Sequence, residues 1–352
     1  MSIGVGIIGA GPGAGALHIP TSARLGEQFR VVHVSDSGSG RAVALAARSG
    51  ARSSTGVAEL LADPAVEVVV IVSPPEQHAA QVRAAVAAGK RGILCEKPLA
   101  LTHEDVDAVI AECRAAGTVL VVGTNHLYDP AWLRAKHHLI ARGESIRQVS
   151  VTVSLPPNDQ YHAVVTETAA ASGAAPRGAP DWADPRVAAA IVRRLIIGLA
   201  VHDLPLLRDL APRLDRVVYA RPVAPIGFVL GYRAGEALVQ VSCVMAPEGA
   251  EALWRLAIGT EGDRIEIAFP PAFVHSGGAA VTVRHAEGRV TEYPRDADDG
   301  YVELWHAFSV LLDGAEAVEY DELAADAHFA VELADAAAAV IGGAATTIRS
   351  GS

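Results

Sequence analysis

The sequence predicts two domains, an N-terminal α/β domain with a doubly wound parallel sheet and a C-terminal α+β domain with an open, largely antiparallel sheet. The length of 352 residues exceeds what one hydrophobic core usually reaches. Up to Thr124, short apolar runs without alternation are separated by helical stretches, as in strands buried on both faces. Beyond Pro130, apolar and polar residues alternate instead. We therefore expect domains at residues 1–124 and 125–352.

In the first domain we expect five parallel strands with helices between them. A right-handed crossover between successive strands makes the doubly wound topology the simplest one. From Thr102 to Ala116, apolar residues recur on one helical stripe, and Thr102 with Asp105 resembles a capping box. The predicted strands are Ile3–Ile8, Arg30–Ser35, Val66–Val72, Gly92–Cys95 and Val119–Gly123.

In the second domain, period-two alternation from Val149 to Leu155 predicts a strand with one buried and one wetter face. Further strands are predicted at Gly227–Tyr232, Ala237–Met245, Leu253–Gly259, Arg264–Phe269 and Ala280–Arg284. Helices are predicted around Arg186–Leu210, Gly300–Leu312 and Glu322–Ala339. The Ala-, Gly- and Pro-rich stretch from Pro156 to Pro180 predicts a long surface loop, a feature that is usually functional or mobile.

The composition limits the partners and the compartment. Hydrophobic residues make up 51% of the chain, and 40 acidic against 29 basic residues give a formal charge of -11, which disfavours nucleic acid. The cysteines Cys95, Cys113 and Cys243 form no CxxC pair and no disulfide framework, which fits a reducing cytoplasm.

No membrane partner and no secretion signal are expected. Arg193 and Arg194 interrupt the longest apolar candidate, so no run reaches the ~18 residues of a membrane span. The first Lys or Arg is Arg24, so the apolar start lacks the basic region of a signal peptide.

A glycine-rich turn directly after the first strand predicts a dinucleotide site. Gly9, Gly11 and Ala14 match GxGxxA in the strand-to-helix context that gives this motif its meaning. Gly9 permits the tight turn, Gly11 lets a pyrophosphate approach the backbone, and Ala14 lets the helix pack closely. Pro12 suits a first helical turn, and with Gly13 it opens the helix whose N-terminus attracts phosphate. We expect a Rossmann domain.

Asp36 ends the second predicted strand, where an acid accepts hydrogen bonds from the adenosine ribose of a dinucleotide. The residues Asp36-Ser37-Gly38 are also ones that turns favour, so a purely structural role of Asp36 in a turn stays open. An acid here favours NAD over NADP because it repels a 2′-phosphate. Ser37 and Arg41 weaken that preference, so NADP remains possible.

Glu96, Lys97 and Pro98 follow a buried strand at its carboxyl end, where open parallel sheets bind ligands. Lys97 in this position is a candidate to hydrogen-bond a substrate hydroxyl. With a pKa lowered by burial, it could also help accept the proton.

These motifs together resemble the Gfo/Idh/MocA family, that of glucose-fructose oxidoreductase and inositol 2-dehydrogenase. The resemblance is carried by the glycine loop, by Ser73-Pro74-Pro75 leading to His78, and by Glu96-Lys97-Pro98. Matches to the central region are Trp182-Ala183-Asp184-Pro185, His202-Asp203-Leu204 and the Gly259-Thr260-Glu261-Gly262 turn. The resemblance implies NAD or NADP as cofactor and a sugar, cyclitol or related secondary alcohol or ketone as substrate. It also implies that Ser73, Pro74, His78, Glu96 and Asn125 adjoin the cofactor.

Two departures from the family pattern stand out. Compared with the family pattern, the glycine loop is enlarged by one residue at Gly13 to Gly15, before His18. The DxxxH motif retains its histidine as His202 but has Gly198 in place of its aspartate. On a continuous helix these two positions would lie one turn apart on one face. Arg193, Arg194 and Leu195 also stand where the family often has glycines.

His202 is nevertheless the second catalytic candidate after Lys97, because the pKa of a histidine lies near working pH. A histidine that merely satisfies a buried helix is the alternative. The resemblance makes Asn125 and His126 further candidates for contact with nicotinamide or substrate, with a loop cap as the alternative. Tyr161, in the predicted long loop, is a further candidate for substrate contact. No HxxxH or HExxH pair occurs, so no metal site is expected.

The favoured interpretation is a dehydrogenase that transfers a hydride between a carbinol carbon and nicotinamide. Two alternatives stay open: an enzyme that uses NAD transiently to enable elimination, and a dinucleotide-binding sensor without catalysis. We also expect a homodimer or homotetramer joined through the open face of the C-terminal sheet, because an apolar sheet face needs a cover.

If Asp36 binds the ribose, NAD should bind more tightly than NADP, and Asp36→Ala should narrow the difference. Calorimetric titration of the parent and the variant with both dinucleotides measures this. Tighter binding of NADP to the parent protein would contradict the ribose assignment.

Overall fold

A computed structural model describes residues 2–157, 181–272 and 275–343. The first sheet is parallel throughout, with the strand order β3-β2-β1-β4-β5-β6. This confirms the doubly wound domain. The predictions missed β3, a polar edge strand with no apolar run to reveal it. The strands are β1 (Ile3–Ile8), β2 (Phe29–Asp36), β3 (Arg52–Thr55), β4 (Val68–Ile71), β5 (Gly92–Cys95) and β6 (Val119–Val122).

The helices of this domain lie between its strands. The first starts at Pro12, runs through a π-helical segment at Ala14–His18, and continues as α1 (Ile19–Arg24). Half of the capping box is present: Thr102 Oγ1 accepts a hydrogen bond from the Asp105 amide at 3.2 Å, while the Asp105 carboxylate accepts from the Thr102 hydroxyl at 2.9 Å rather than from its amide. The remaining helices are α2 (Arg41–Ser49), α3 (Ala58–Ala62), α4 (His78–Ala87) and α5 (His103–Ala116), with a 3-10 turn at Pro75–Gln77.

The second sheet has eight strands in the order β14-β13-β12-β11-β7-β10-β9-β8. Only the pair β7 and β10 is parallel, so the sheet is largely antiparallel, as expected. The predictions missed β8 and β14. The strands are β7 (Ile146–Leu155), β8 (Arg216–Pro222), β9 (Gly227–Ala234), β10 (Ala237–Met245), β11 (Leu253–Thr260), β12 (Arg264–Ala268), β13 (Ala280–Arg284) and β14 (Val290–Tyr293).

The helix predicted over Arg186–Leu210 is broken in the structure, which corrects the sequence-based interpretation. It ends at Gly198, and a 3-10 turn at Ala200–His202 leads into a second short helix. Pro205 lies in the first turn of this second helix, where its missing amide costs nothing, whereas it would disrupt the interior of one continuous helix. The helices here are α6 (Pro130–Arg142), α7 (Pro185–Gly198), α8 (Leu204–Leu210), α9 (Gly300–Leu312) and α10 (Tyr320–Ile341), with a 3-10 turn at Asn125–Tyr128.

Helix α9 returns to the first sheet although it follows the second sheet in sequence. Trp305 and Phe308 are fully buried in the core of the parallel sheet, beside Phe29. The close packing of α9 on β5 requires a glycine at position 92, because a Cβ there would lie 2.6 Å from the Leu312 side chain. The two domains therefore share an element, and the division at residue 124 stays a prediction.

Three further predictions concern the cysteines, membrane-spanning helices and the long loop. Cys95, Cys113 and Cys243 are free and buried. Within residues 2–157, 181–272 and 275–343, no helix is both long and apolar enough to cross a membrane. The predicted loop of residues 156–180 falls, from 158 onward, outside the described residues.

Truncating Phe308 tests the docking of α9 on the first sheet. Phe308→Ala should lower the free energy of unfolding by about 3–5 kcal/mol, as for other buried aromatic residues. Val310→Ala on the same helix is the matched control, because Val310 is 37% exposed and should cost little. Denaturant unfolding of both variants measures this, and equal stability would contradict the docking.

Candidate functional site

The glycine loop has the geometry that the sequence predicted. Gly9 has φ +103°, and a Cβ there would lie 2.6 Å from the backbone of Val72, so only glycine fits. A Cβ at Gly11 would meet nothing within 4 Å, which leaves the helix N-terminus open to a ligand. Pro12 is the first helical residue, and Ala14 is fully buried. This is a surface on which a pyrophosphate can rest.

The predicted enlargement of this loop corresponds to a π-helical segment, Ala14–His18. One extra residue in a helix is accommodated as such a bulge, often at a functional site. The bulge directs the buried His18 into the protein, where Nε2 lies 2.9 Å from Glu96 Oε1. Trp305 Nε1 donates to His18 Nδ1 at 3.3 Å. His18 therefore carries its proton on Nε2 and donates it to Glu96.

Asp36 lies at the end of β2 with its carboxylate already engaged. It accepts hydrogen bonds from the amides of Gly38 at 2.8 Å and Ala42 at 3.2 Å, and from the Ser39 hydroxyl. Burial raises the pKa of Asp36, but these hydrogen bonds outweigh it and hold the pKa below its usual value. The turn role is thus present, and the carboxylate is charged where a ribose is expected. Ser37 and Arg41 are exposed beside it.

His78 joins the two loops on the cofactor side of the cleft. Its Nδ1 lies 2.7 Å from the carbonyl oxygen of Pro98, and its Nε2 lies 2.9 Å from that of Ser73. Ser73 Oγ in turn donates to Gln81 Oε1 at 2.5 Å. Pro74 begins the 3-10 turn that leads to His78. These contacts fix the Ser73-Pro74 segment against the turn that carries Lys97.

Glu96 is the polar centre of the cleft floor. Its carboxylate accepts hydrogen bonds from His18 at 2.9 Å and from the Lys97 amide at 3.1 Å. Burial, then the negative charge of Glu96, raises the pKa of the nearby Tyr301 well above its usual value. Burial raises the pKa of Glu96, but His18 and Lys97 more than offset this and lower it. A Cβ on Gly123 would lie 2.8 Å from Glu96 Oε1, so glycine makes room for the carboxylate.

Lys97 reaches across the cleft to the second domain. Its Nζ donates to the main-chain oxygen of Gly198 at 2.8 Å. Because α7 ends at Gly198, this carbonyl has no partner within the helix and lies at the negative end of the helix dipole. A main-chain oxygen thus contacts Lys97 at the position where the family aspartate is missing. Burial lowers the pKa of Lys97, against the opposing effect of Glu96.

His202 faces the same cleft from the turn after α7. Its Nδ1 lies 2.7 Å from Asn125 Oδ1 and donates to it, so Nε2 is the ring nitrogen left to exchange a proton. Burial, then the charges of Lys97 and His126, hold the pKa of His202 well below its usual value. Gly198 and His202 do not share a helical face, because the helix breaks between them.

Asn125 and His126 lie behind His202 and are not among the cleft-lining residues. His126 Nδ1 contacts Asp203 Oδ1 at 3.0 Å, and its ring stacks on Phe269 at 3.9 Å. Asp203 Oδ2 accepts from Trp254 Nε1 at 2.7 Å, so this acid turns away from His202. Tyr161, the other substrate candidate, lies outside the described residues.

The cleft has a volume of about 320 Å³ and lies between the two sheets. It includes Tyr301 and Trp254, which the sequence analysis did not single out. No local motif marks Tyr301, because it reaches the site only through the return of α9. The lining residues are Gly13, Leu17, Val72, Ser73, Pro75, His78, Glu96, Lys97, Leu155, Gly198, Leu199, His202, Trp254, Ala272 and Tyr301.

Comparison with solved structures supports the fold over the whole chain. A 3-ketoreductase from Actinomadura kijaniata, KijD10, solved with NADP and TDP-benzene, superposes with a TM-score of 0.72 at 18% identity. The match covers 96% of this chain and 97% of that one. At this identity the likeness establishes the fold alone.

Curated relatives match in sequence over part of their length. A 1,5-anhydro-D-fructose reductase from Ensifer adhaerens is 40% identical over 37% of this chain and 40% of its own. Inositol 2-dehydrogenase 2 from Saccharopolyspora erythraea is 36% identical over 48% of this chain and 51% of its own. The matches therefore span about half, or less than half, of the length of these curated relatives.

A family model described as "Oxidoreductase family, NAD-binding Rossmann fold" matches residues 3–124. The match contains the glycine loop, Asp36, and the segment from Ser73 to Lys97. Residues 3–124 are therefore an NAD-binding Rossmann domain similar to that of the Gfo/Idh/MocA oxidoreductases.

Proposed function

We propose that this protein is an NAD(P)-dependent dehydrogenase or reductase that transfers a hydride between nicotinamide and a secondary alcohol or ketone. The observation that carries the proposal is the meeting of Lys97 and His202, one from each domain, in one cleft at the carboxyl end of β5. Ligands of open α/β sheets bind at this end. Both groups have a pKa lowered by burial, a property typical of proton-transfer residues.

The chain's own residues suit a dinucleotide. The open helix N-terminus at Gly11, Pro12 and Gly13 would hold the pyrophosphate, and Asp36 would hold the adenosine ribose. The Ser73-Pro74 loop, backed by His78, forms the cleft wall beside the glycine loop. When bound, nicotinamide accepts or supplies the hydride. NAD is the favoured form because the Asp36 carboxylate is charged.

Lys97 orients the substrate oxygen. Its ammonium group already donates to a carbonyl oxygen in the cleft, and a substrate hydroxyl or ketone oxygen can accept in the same way. In oxidation, the hydroxyl proton passes to the neutral His202 Nε2 as the carbon gives up its hydride. In reduction, the protonated His202 returns that proton to the oxygen. Asn125 holds the His202 ring so that Nε2 stays available.

The substrate proposed is a sugar, a cyclitol or a related polar metabolite. Two observations support this class: the names of the curated relatives, a 1,5-anhydro-D-fructose reductase and an inositol 2-dehydrogenase, and the cleft volume of about 320 Å³, which suits a small molecule. Glu96 and Tyr301 line the cleft and provide polar groups for such a ligand, with His18 behind Glu96.

We further propose a homodimer or homotetramer joined through the open face of the second sheet. The apolar face of this sheet packs under α6, α7, α8 and α10. The opposite face presents polar residues such as Gln148, Ser150 and Thr152, so the contact is more polar than the sequence argument assumed. The free, buried cysteines support placing the protein in the cytoplasm.

Removing either proposed proton-transfer group should abolish most turnover. Lys97→Ala and His202→Ala should each lower kcat by about 100-fold or more while leaving NAD binding nearly intact. The assay screens cyclitols, sugars and their keto forms while following the absorbance of reduced nicotinamide. Lys136→Ala, which removes a half-exposed lysine paired with Asp209, is the matched control and should keep activity.

Unchanged turnover in both cleft variants would contradict the catalytic assignment. Product formation without net reduced nicotinamide would favour the elimination chemistry. Dinucleotide binding with no turnover of any compound would favour a sensor.

The pH profile tests the role of His202 separately. Because its pKa is lowered, the neutral base persists below pH 6.5, and kcat/KM for oxidation should hold until the pH falls through that lowered pKa. Asn125→Asp places a carboxylate 2.7 Å from Nδ1, which favours the imidazolium and should move the acidic limb upward by about one pH unit or more. An unmoved limb would mean that His202 is not the titrating base.

A further inference from the structure

A second cluster of ionisable side chains lies on the second domain, apart from the cleft. His138 of α6, Asp263 of the turn between β11 and β12, and His285 just after β13 each offer a ligand atom, all within 4.8 Å of one another. The three residues are far apart in sequence, so the spacing of histidines along the chain could not reveal them. None of them lines the cleft of Lys97 and His202.

Asp263 forms the centre of this cluster. Its Oδ2 lies 2.8 Å from His138 Nε2 and 3.4 Å from His285 Nδ1, and its side chain is 1% exposed. Its other oxygen, Oδ1, is buried and has no hydrogen-bond partner in the described part of the chain. The oxygen that faces the two histidines is Oδ2, and a cation bound to this carboxylate would also offset the cost of the unpartnered Oδ1.

The distances suit a transition-metal ion. Bonds of 2.0–2.1 Å to nitrogen and oxygen in tetrahedral geometry place ligand atoms about 3.4 Å apart. The Asp263 to His285 separation of 3.4 Å matches this, and His138 needs to move by only about half an ångström from its 2.8 Å contact. Two imidazoles and one carboxylate suit Zn²⁺ better than Mg²⁺ or Ca²⁺, which prefer oxygen ligands.

The orientation of the His285 ring also fits ligation. Its Nε2 lies 3.1 Å from the Thr291 hydroxyl, which can accept the Nε2 proton. This contact leaves Nδ1 with its lone pair toward Asp263, the arrangement that outer-shell partners impose on metal-binding histidines. His138 has a side chain that is 16% exposed, so solvent and ions can reach the cluster.

Arg142 is the group that opposes a cation here. Its Nε lies 3.2 Å from Asp263 Oδ2. Its terminal nitrogen, however, also pairs with Glu144 Oε1 at 2.5 Å, and the side chain is 43% exposed. Arg142 can therefore keep its contact with Glu144 and give up its contact with Asp263 Oδ2 when an ion binds there.

We propose that His138, Asp263 and His285 form a Zn²⁺ site that joins α6, the turn before β12 and the β13–β14 hairpin. With three protein ligands, a water reaching the cluster beside the partly exposed His138 would complete the tetrahedron. Because the site lies outside the cleft and spans three elements of one domain, its expected effect is on stability. The proposal is independent of the proposed oxidoreductase activity.

The test measures metal binding and stability with tag-free protein first treated with EDTA. Equilibrium dialysis against ZnCl₂, with metal analysis, should give one Zn²⁺ per chain. Saturating ZnCl₂ should raise the thermal midpoint by roughly 2–4 °C or more, because a ligand that binds only the folded state stabilises it. The variants His285→Gln and Asp263→Asn should each lose the bound metal and the shift, and His138→Gln should at least weaken both.

His328→Gln is the matched control. His328 contacts His103 at 2.7 Å and Asp107 at 2.9 Å on the surface, so it offers a similar set of groups elsewhere. This variant should retain the bound Zn²⁺ and the thermal shift. The proposal is overturned if the parent protein binds no Zn²⁺, or if binding survives both His285→Gln and Asp263→Asn. Loss of binding in His328→Gln alone would also overturn it, by placing the metal at the surface cluster.

Discussion

The burial of the Glu96 carboxylate is the constraint on which the rest of the site depends. The Glu96 side chain is only 12% exposed, and a carboxylate so nearly buried is tolerated only when it is well paired. Its partners are His18 from the bulged first helix and the Lys97 amide from the turn after β5, and Trp305 of α9 donates in turn to His18. This one charge thus links the glycine-loop helix, the Lys97 turn and, through His18, the returning helix α9.

The same geometry leaves Lys97 and His202 in one cleft although position 198 is a glycine. The end of α7 leaves the Gly198 carbonyl free, and Lys97 donates to it across the cleft. The break in the helix separates Gly198 from the turn that carries His202, and Asn125 orients the His202 ring instead. Asp203 follows His202 directly but supports the layer behind it, through His126 and Trp254. Lysine and histidine therefore stay together although the acid between them is lost.

The sequence alone predicted much of this arrangement, and its failures have identifiable causes. The buried parallel strands, the glycine turn and the Lys97 segment were predictable because local pattern and chemistry agree there. Strand β3 was missed because an edge strand needs no apolar run. The break after α7 was missed because apolar residues continue through it, although Pro205 was a usable signal. Tyr301 and the His138–Asp263–His285 cluster depend on contacts between distant segments, which no local pattern records.

If Lys97 and His202 act on the substrate, nicotinamide must bind between them. A crystal structure of the protein with NAD bound measures this. We expect the pyrophosphate at the helix N-terminus beside Gly11, the ribose hydroxyls on Asp36, and the nicotinamide ring in the cleft facing Lys97 and His202. A nicotinamide ring bound elsewhere, with the cleft closed to it, would rule out the proposed roles of Lys97 and His202.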